Sequence, residues 1–148
     1  MKEKILYFAY GSNMSSQRFM RRIESAKAIE IAYLKDRKVL FNKQGVDGSG
    51  KANLIDAPGE VTWGVLYEIE NKDLIKLDRI EGGYERTSVQ VWRISGEEVS
   101  VVSYISKNLT DDPAAYDWYK DLLIKGAREH NLPQEYIDYL EQLPSKNG

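Results

Sequence analysis

Strand-forming patterns dominate the first two thirds of this chain and helical patterns the last third. Such segregation argues for an α+β architecture rather than regular βαβ units, whose strands and helices alternate. Residues 4–9 read as a buried strand, and strands follow near 29–34 and 37–42. The stretch "EVTWGVLYEI" places Val61, Trp63, Val65, Tyr67 and Ile69 on one face of a strand. "ANLI" is a short strand, and Pro58-Gly59 after it signals a turn. "SVQVWRI" and "EVSVVSYI" read as a hairpin through Ser95-Gly96-Glu97.

Helices are expected over Met14–Glu24 and over 72–81, the second capped by Asn71. At the C-terminal end Asp112 reads as an N-cap with Pro113 in the first helical position. Ala115, Trp118, Tyr119, Leu122, Leu123 and Gly126 then share one helical face. Pro133 opens a last helix with Tyr136, Ile137, Leu140 and Leu143 inward. No linker, repeat or low-complexity stretch divides the 148 residues, so one domain spanning 1–148 is expected.

Composition narrows the chemistry. The formal charge of −2 provides no field for nucleic acid or anionic membrane, and no apolar run reaches the ~20 residues of a membrane span. The N-terminus lacks a signal-peptide core, so the expected location is cytoplasmic. There is no cysteine, which removes thiol nucleophiles and thiolate metal sites. The single histidine, His130, lies in "AREHNLP" at an expected helix end, where a cation has a structural role. An acid–base group in this chain is therefore a carboxylate or a tyrosine, and neither metal nor cofactor is expected. "KQGVDGSGK" holds three glycines but lacks the Gly-Lys-Ser/Thr start of a phosphate-binding helix.

Two segments could carry chemistry. In "LYFAYGSNMSS" a strand stops at Gly-Ser-Asn and feeds a helix, leaving N–H groups that could hold a carboxylate or an oxyanion. Such a turn can equally be an ordinary capped connection. In "LDRIEGGYER", Leu74, Leu77 and Glu81 fall within about 60° of one another on a helix. Glu81 continues an apolar stripe and sits where Gly82 and Gly83 end the helix. Burial and the negative end of the dipole both raise the pKa of such a carboxylate, unless it is simply solvated on a last turn.

"YFAYGSNM" resembles the signature of the γ-glutamylcyclotransferase-like superfamily, which includes γ-glutamylamine cyclotransferases, plant AIG2-like proteins and a butirosin-pathway cyclotransferase. "WGVLYEI" with "LDRIEGGYER" is similar to its second block, and "PAAYDWYKDLLIKGAREHNLPQEYIDYLEQL" to the C-terminal helices of its γ-glutamylcyclotransferase branch. The resemblance implies a small mixed β-barrel flanked by helices. It implies that Tyr10, Gly11, Ser12 and Asn13 bind a γ-glutamyl group, that Glu81 is the catalytic acid/base, and that Tyr84, Tyr104 and Tyr119 line the cavity.

The reaction so implied is intramolecular cyclisation of a γ-glutamyl compound to 5-oxoproline, with release of an amine or amino acid. The partner is a small molecule. A binding module that turns nothing over, and a hydrolase of γ-glutamyl amides, are the alternatives. The short link between Glu81 and Tyr84 leaves the leaving group open, and the sequence does not specify the oligomeric state.

Overall fold

The computed structural model describes residues 3–148. Five strands form a closed barrel: β1 (Lys4–Ala9), β2 (Lys27–Gln44), β3 (Gly50–Glu70), β4 (Glu85–Arg93) and β5 (Glu98–Ile105). Their order is β1-β3-β2-β4-β5, all antiparallel except where β1 meets β5. That seam is parallel and carries a single register pair, Tyr7 with Val102. Side chains reinforce it. The Ser103 hydroxyl donates to the Phe8 carbonyl at 2.8 Å, and the Tyr10 hydroxyl donates to the Tyr104 carbonyl at 2.5 Å.

The expected strands 29–34 and 37–42 are one strand, β2, bent at Asp36 (φ 62°). "ANLI" likewise continues through Pro58-Gly59 into "EVTWGVLYEI" as β3. Gly59 has φ 84°, which glycine adopts without steric cost, and its N–H donates to the Asp36 carboxylate at 2.9 Å. This bond lets both strands bend together and stay paired, so the turn signal becomes an irregularity within a long hairpin. The hairpin's far half brings Ala52 and the facing pair Lys43 and Lys51 towards the site. Val65, Tyr67 and Ile69 are fully buried as the alternation requires, whereas Val61 is exposed.

The helices depart from expectation at their starts. Residues Ser12–Met14 form one 3-10 turn, Ser15 is extended, and α1 begins only at Ser16 (Ser16–Arg22). The Tyr67 hydroxyl donates to the carbonyls of Asn13 (2.9 Å) and Met14 (3.3 Å), so tertiary structure takes acceptors that a continuous helix would use. Before α2 (Leu74–Ile80), Asn71 makes no side-chain cap. Its N–H instead donates to the Glu3 carbonyl at 2.9 Å and its backbone opens a 3-10 turn.

The helix expected from Pro113 starts later. Ala115–Tyr116 is a short strand, β6, parallel to β7 (Ser145–Lys146), and α3 runs Asp117–Glu129 from an N-cap at Tyr116. The Ala114 carbonyl accepts from Gly50 at 2.8 Å, committing this segment to pairing before the helix begins. Ala115 and Tyr119 are buried while Trp118 is exposed. Helix α4 (Gln134–Gln142) follows Pro133 with Tyr136, Ile137, Leu140 and Leu143 buried, as expected. No helix among the described residues is long and apolar enough to cross a membrane.

Candidate active site

Helix α3 reaches the strand-ending turn at one glycine. A Cβ at Gly126 would stand 2.6 Å from the Met14 carbonyl carbon and 2.7 Å from the Ser15 nitrogen. Only glycine allows backbones that close, so Gly126 seats α3 on the 3-10 turn. His130, at the end of α3, adds a contact of 2.8 Å between its Nε2 and the Ser16 hydroxyl. Its ring packs edge-on to Tyr67. His130 thus braces the start of α1 and lies outside the cavity lining.

Held in this way, the turn forms one wall of a cavity of about 40 Å³. Tyr10, Gly11, Ser12, Asn13, Glu81, Tyr84, Tyr104 and Tyr119, the residues singled out from the sequence, all line it, together with Tyr7 and Ala52. Glu81 is the C-cap residue of α2. Its Oε1 accepts a 2.7 Å hydrogen bond from Asn13 Nδ2 and a longer one, 3.4 Å, from the Tyr7 hydroxyl. Asn13 Nδ2 also donates to the Tyr7 oxygen at 3.1 Å. A carboxylate can only accept, so these contacts orient the asparagine amide.

Burial pushes the Glu81 carboxyl above the usual carboxylate range. Arg22 and the bonds from Tyr7 and Asn13 pull the other way, and Arg18 does so more weakly. The result is a carboxylate held by donors yet easier to protonate than one in water.

The opposite wall is clamped on Ala52. The Tyr84 hydroxyl donates to its carbonyl at 2.6 Å, and its N–H donates to the Tyr119 oxygen at 3.1 Å. The Tyr104 hydroxyl turns to Asp78, donating to Oδ1 at 2.6 Å, and its ring packs edge-on to Tyr7. Burial raises the pKa of Tyr7, Tyr10, Tyr84 and Tyr119, the last to about 12. These hydroxyls therefore stay protonated at neutral pH. Among the described residues the N–H groups of Gly11, Ser12 and Asn13 donate to no protein acceptor, which leaves them for a bound group.

Tyr7 and Ala52 escaped the sequence reading. Tyr7 looked like strand core, and only the pairing of its hydroxyl with Glu81 marks it out. Ala52 carries no polar side chain, and it contributes through its backbone.

Comparison with known proteins finds relatives that cover most of the chain. Residues 61–140 match the model of the AIG2-like family. The human γ-glutamylcyclotransferase is 34% identical over 96% of this chain and 80% of its own length, and the bovine protein is 36% identical over 95% and 79%. A solved γ-glutamyl cyclotransferase structure superposes with a TM-score of 0.93 at 31% identity, covering 99% of this chain and 91% of that one. YkqA from Bacillus subtilis superposes at 0.82 with 26% identity, over 98% of this chain and 57% of its own. Matched to these relatives over nearly its whole length, the chain belongs to the γ-glutamylcyclotransferase-like superfamily.

Proposed function

We propose that the protein is a γ-glutamylcyclotransferase whose acid–base group is Glu81. The observation that carries this reading is the Glu81 carboxylate, half-buried and held at 2.7 Å by Asn13 of the strand-ending turn. The substrate's α-amine attacks its own γ-carbonyl carbon, forming the C–N bond of a five-membered lactam. Glu81 takes a proton from that amine and returns it to the leaving nitrogen as the original amide bond breaks. 5-Oxoproline and an amine or amino acid depart, and no water is consumed.

The cavity walls would supply most of the remaining catalysis. Folding the glutamyl chain so that amine meets carbonyl exploits effective molarities of ~10⁵–10⁸ M. A free α-amine has a pKa of ~8, so a base is needed to expose its lone pair at neutral pH. The unpartnered amides of Gly11, Ser12 and Asn13 would hold a carboxylate or the developing oxyanion. Losing one oxyanion donor typically costs ~10²–10³ in rate.

The test is to incubate the protein with a γ-glutamyl dipeptide and with γ-glutamyl-lysine, measuring 5-oxoproline against free glutamate. Lactam is the expected product. Glutamate would make the protein a hydrolase, and no product would make it a binding module.

A further inference from the structure

The Tyr67 hydroxyl has a single proton to give. It donates to the carbonyls of Asn13 (2.9 Å) and Met14 (3.3 Å), which can only accept. Burial pushes its pKa up to about 12, so that proton is present at neutral pH. The Ser16 hydroxyl lies 3.2 Å from the same oxygen. With the Tyr67 proton already engaged, Ser16 is the donor in that contact. Ser16 then has no proton left for His130 Nε2, 2.8 Å from its oxygen. The hydrogen between them therefore belongs to the imidazole, and Nε2–H donates to Ser16. Glu129 supports the same assignment. Its Oε2 stands 3.4 Å from His130 Nε2, and its Oε1 accepts from the Ser16 N–H at 3.3 Å. A carboxylate only accepts, so it favours a hydrogen on the nitrogen it faces.

The row of donors continues through the turn. The Asn13 carbonyl shares its peptide group with the Met14 N–H, which donates to the Gly11 carbonyl at 3.0 Å. The Gly11 carbonyl shares its peptide group with the Ser12 N–H. In a second branch the Met14 carbonyl is joined to the Ser15 N–H, which donates to the Ser12 carbonyl at 3.2 Å. That carbonyl is joined to the Asn13 N–H. Both branches thus end on amides of the cavity wall that donate to no protein acceptor among the described residues. The Gly11 amide is different, because its peptide carbonyl, that of Tyr10, accepts no hydrogen bond among the described residues. A peptide group whose oxygen accepts becomes a stronger donor at its nitrogen, and aligned bonds reinforce one another by ~10–30% each.

We propose that His130, Ser16 and Tyr67 are positioning residues, a one-way hydrogen-bond relay that polarises the Ser12 and Asn13 amides towards a bound anion. Its catalytic consequence rests on the cyclotransferase reading above; the relay itself does not. Histidine changes charge between about pH 5 and 8. Charging His130 adds a proton at Nδ1, leaves Nε2–H in place and makes it a charge-assisted donor. Of the groups that face the ring, Glu129 on α3 and Tyr67 on β3 can titrate, whereas Ser16 on α1 cannot.

The experiment follows backbone amide signals by NMR while the imidazole titrates. His130 is the sole histidine, so its ring gives one midpoint. The Ser12 and Asn13 amide protons move downfield with that midpoint as the ring gains charge, and the Gly11 amide does not. In Ser16→Ala and in Tyr67→Phe the ring still titrates but the amides no longer follow it. Each variant lowers kcat/KM about 3- to 10-fold, short of the ~10²–10³ for losing an oxyanion donor outright. The double variant costs no more than the larger single loss, because a row already broken cannot be broken again. His130→Gln, whose amide can donate to Ser16, keeps most of the native kcat/KM.

Amides that ignore the imidazole, or that still follow it in Ser16→Ala, overturn the relay whatever the activity. Neutral His130 carrying its hydrogen on Nδ1 does so too, as do single losses that multiply in the double variant. Native protein that forms no 5-oxoproline overturns the cyclotransferase reading and the catalytic consequence, and the amide titration still decides the relay.

Discussion

Asn13 Nδ2 lies 2.7 Å from Glu81 Oε1, a hydrogen bond between residues 68 positions apart that ties the end of the first strand to the end of α2. The turn and the acid are one unit. The same amide reaches Tyr7, so strand, turn and helix converge on a single carboxylate.

Glu81→Gln is expected to lower 5-oxoproline formation by ~10²–10⁴, the usual contribution of general acid–base catalysis. The fold should persist. Because burial raises the carboxyl pKa above its ordinary 4.5, the folded protein holds this proton more tightly than the unfolded chain. Its contribution to stability is full below that ordinary value and is lost as pH rises through the raised one. Melting curves across that window should therefore decline less steeply with pH for Glu81→Gln than for the native protein. A variant with native turnover would refute the role given to Glu81.

Arg22 is the main charge holding the Glu81 pKa down against burial. Replacing it with glutamine removes that stabilisation of the carboxylate, so the pKa rises further. The acid limb of the kcat/KM profile should move to higher pH in Arg22→Gln and stay near its native position in Arg22→Lys. A limb that does not move would show that a group other than Glu81 governs it.

Tyr104→Phe keeps the ring against Tyr7 and deletes the 2.6 Å bond to Asp78. A hydrogen bond to a charged acceptor is typically worth ~1.5–3 kcal/mol, and the low end applies here because Arg86 also pairs with Asp78. Denaturant titration should register that loss, while kcat/KM falls by less than about tenfold. A larger kinetic loss would mean that the hydroxyl swings from Asp78 to touch substrate.

Gly126→Val drives side-chain atoms into the backbone of Met14 and Ser15. Overpacking of this kind costs ~1–3 kcal/mol. The displaced turn carries Asn13, so activity should drop further than stability alone explains, with native Glu81 still present. Parallel melting and kinetic measurements separate the two effects.

Chelation should leave turnover unchanged. Cyclisation joins two groups of one substrate and calls for no activated water. The described residues offer no group of three or more His, Cys, Asp or Glu side chains that could hold a metal ion. Activity lost to EDTA and restored by a divalent cation would contradict this mechanism.

Much of the architecture was legible in local pattern. Val65, Tyr67 and Ile69 alternate because one face of a strand is buried, and Tyr136, Ile137, Leu140 and Leu143 recur because one face of a helix is. Element starts were less legible, because distant partners set them. Tyr67 takes the carbonyls of Asn13 and Met14 and shortens α1, while pairing of Ala115 with Ser145 delays α3. Asp36 bonding to Gly59 turns two expected breaks into one bend.

The reagents of the site could be read from the order of residues: a Gly-Ser-Asn turn, a glutamate at the end of an apolar stripe, no cysteine and one histidine. It could not place them against one another, because hydrophobic periodicity specifies which face is buried and says nothing of what lies opposite. Long-range packing brought Asn13 to Glu81 and closed the β1–β5 seam beside them. Those relationships depend on long-range packing and on burial. Burial lifts the Glu81 pKa, and that effect does not exist in the chain until it folds.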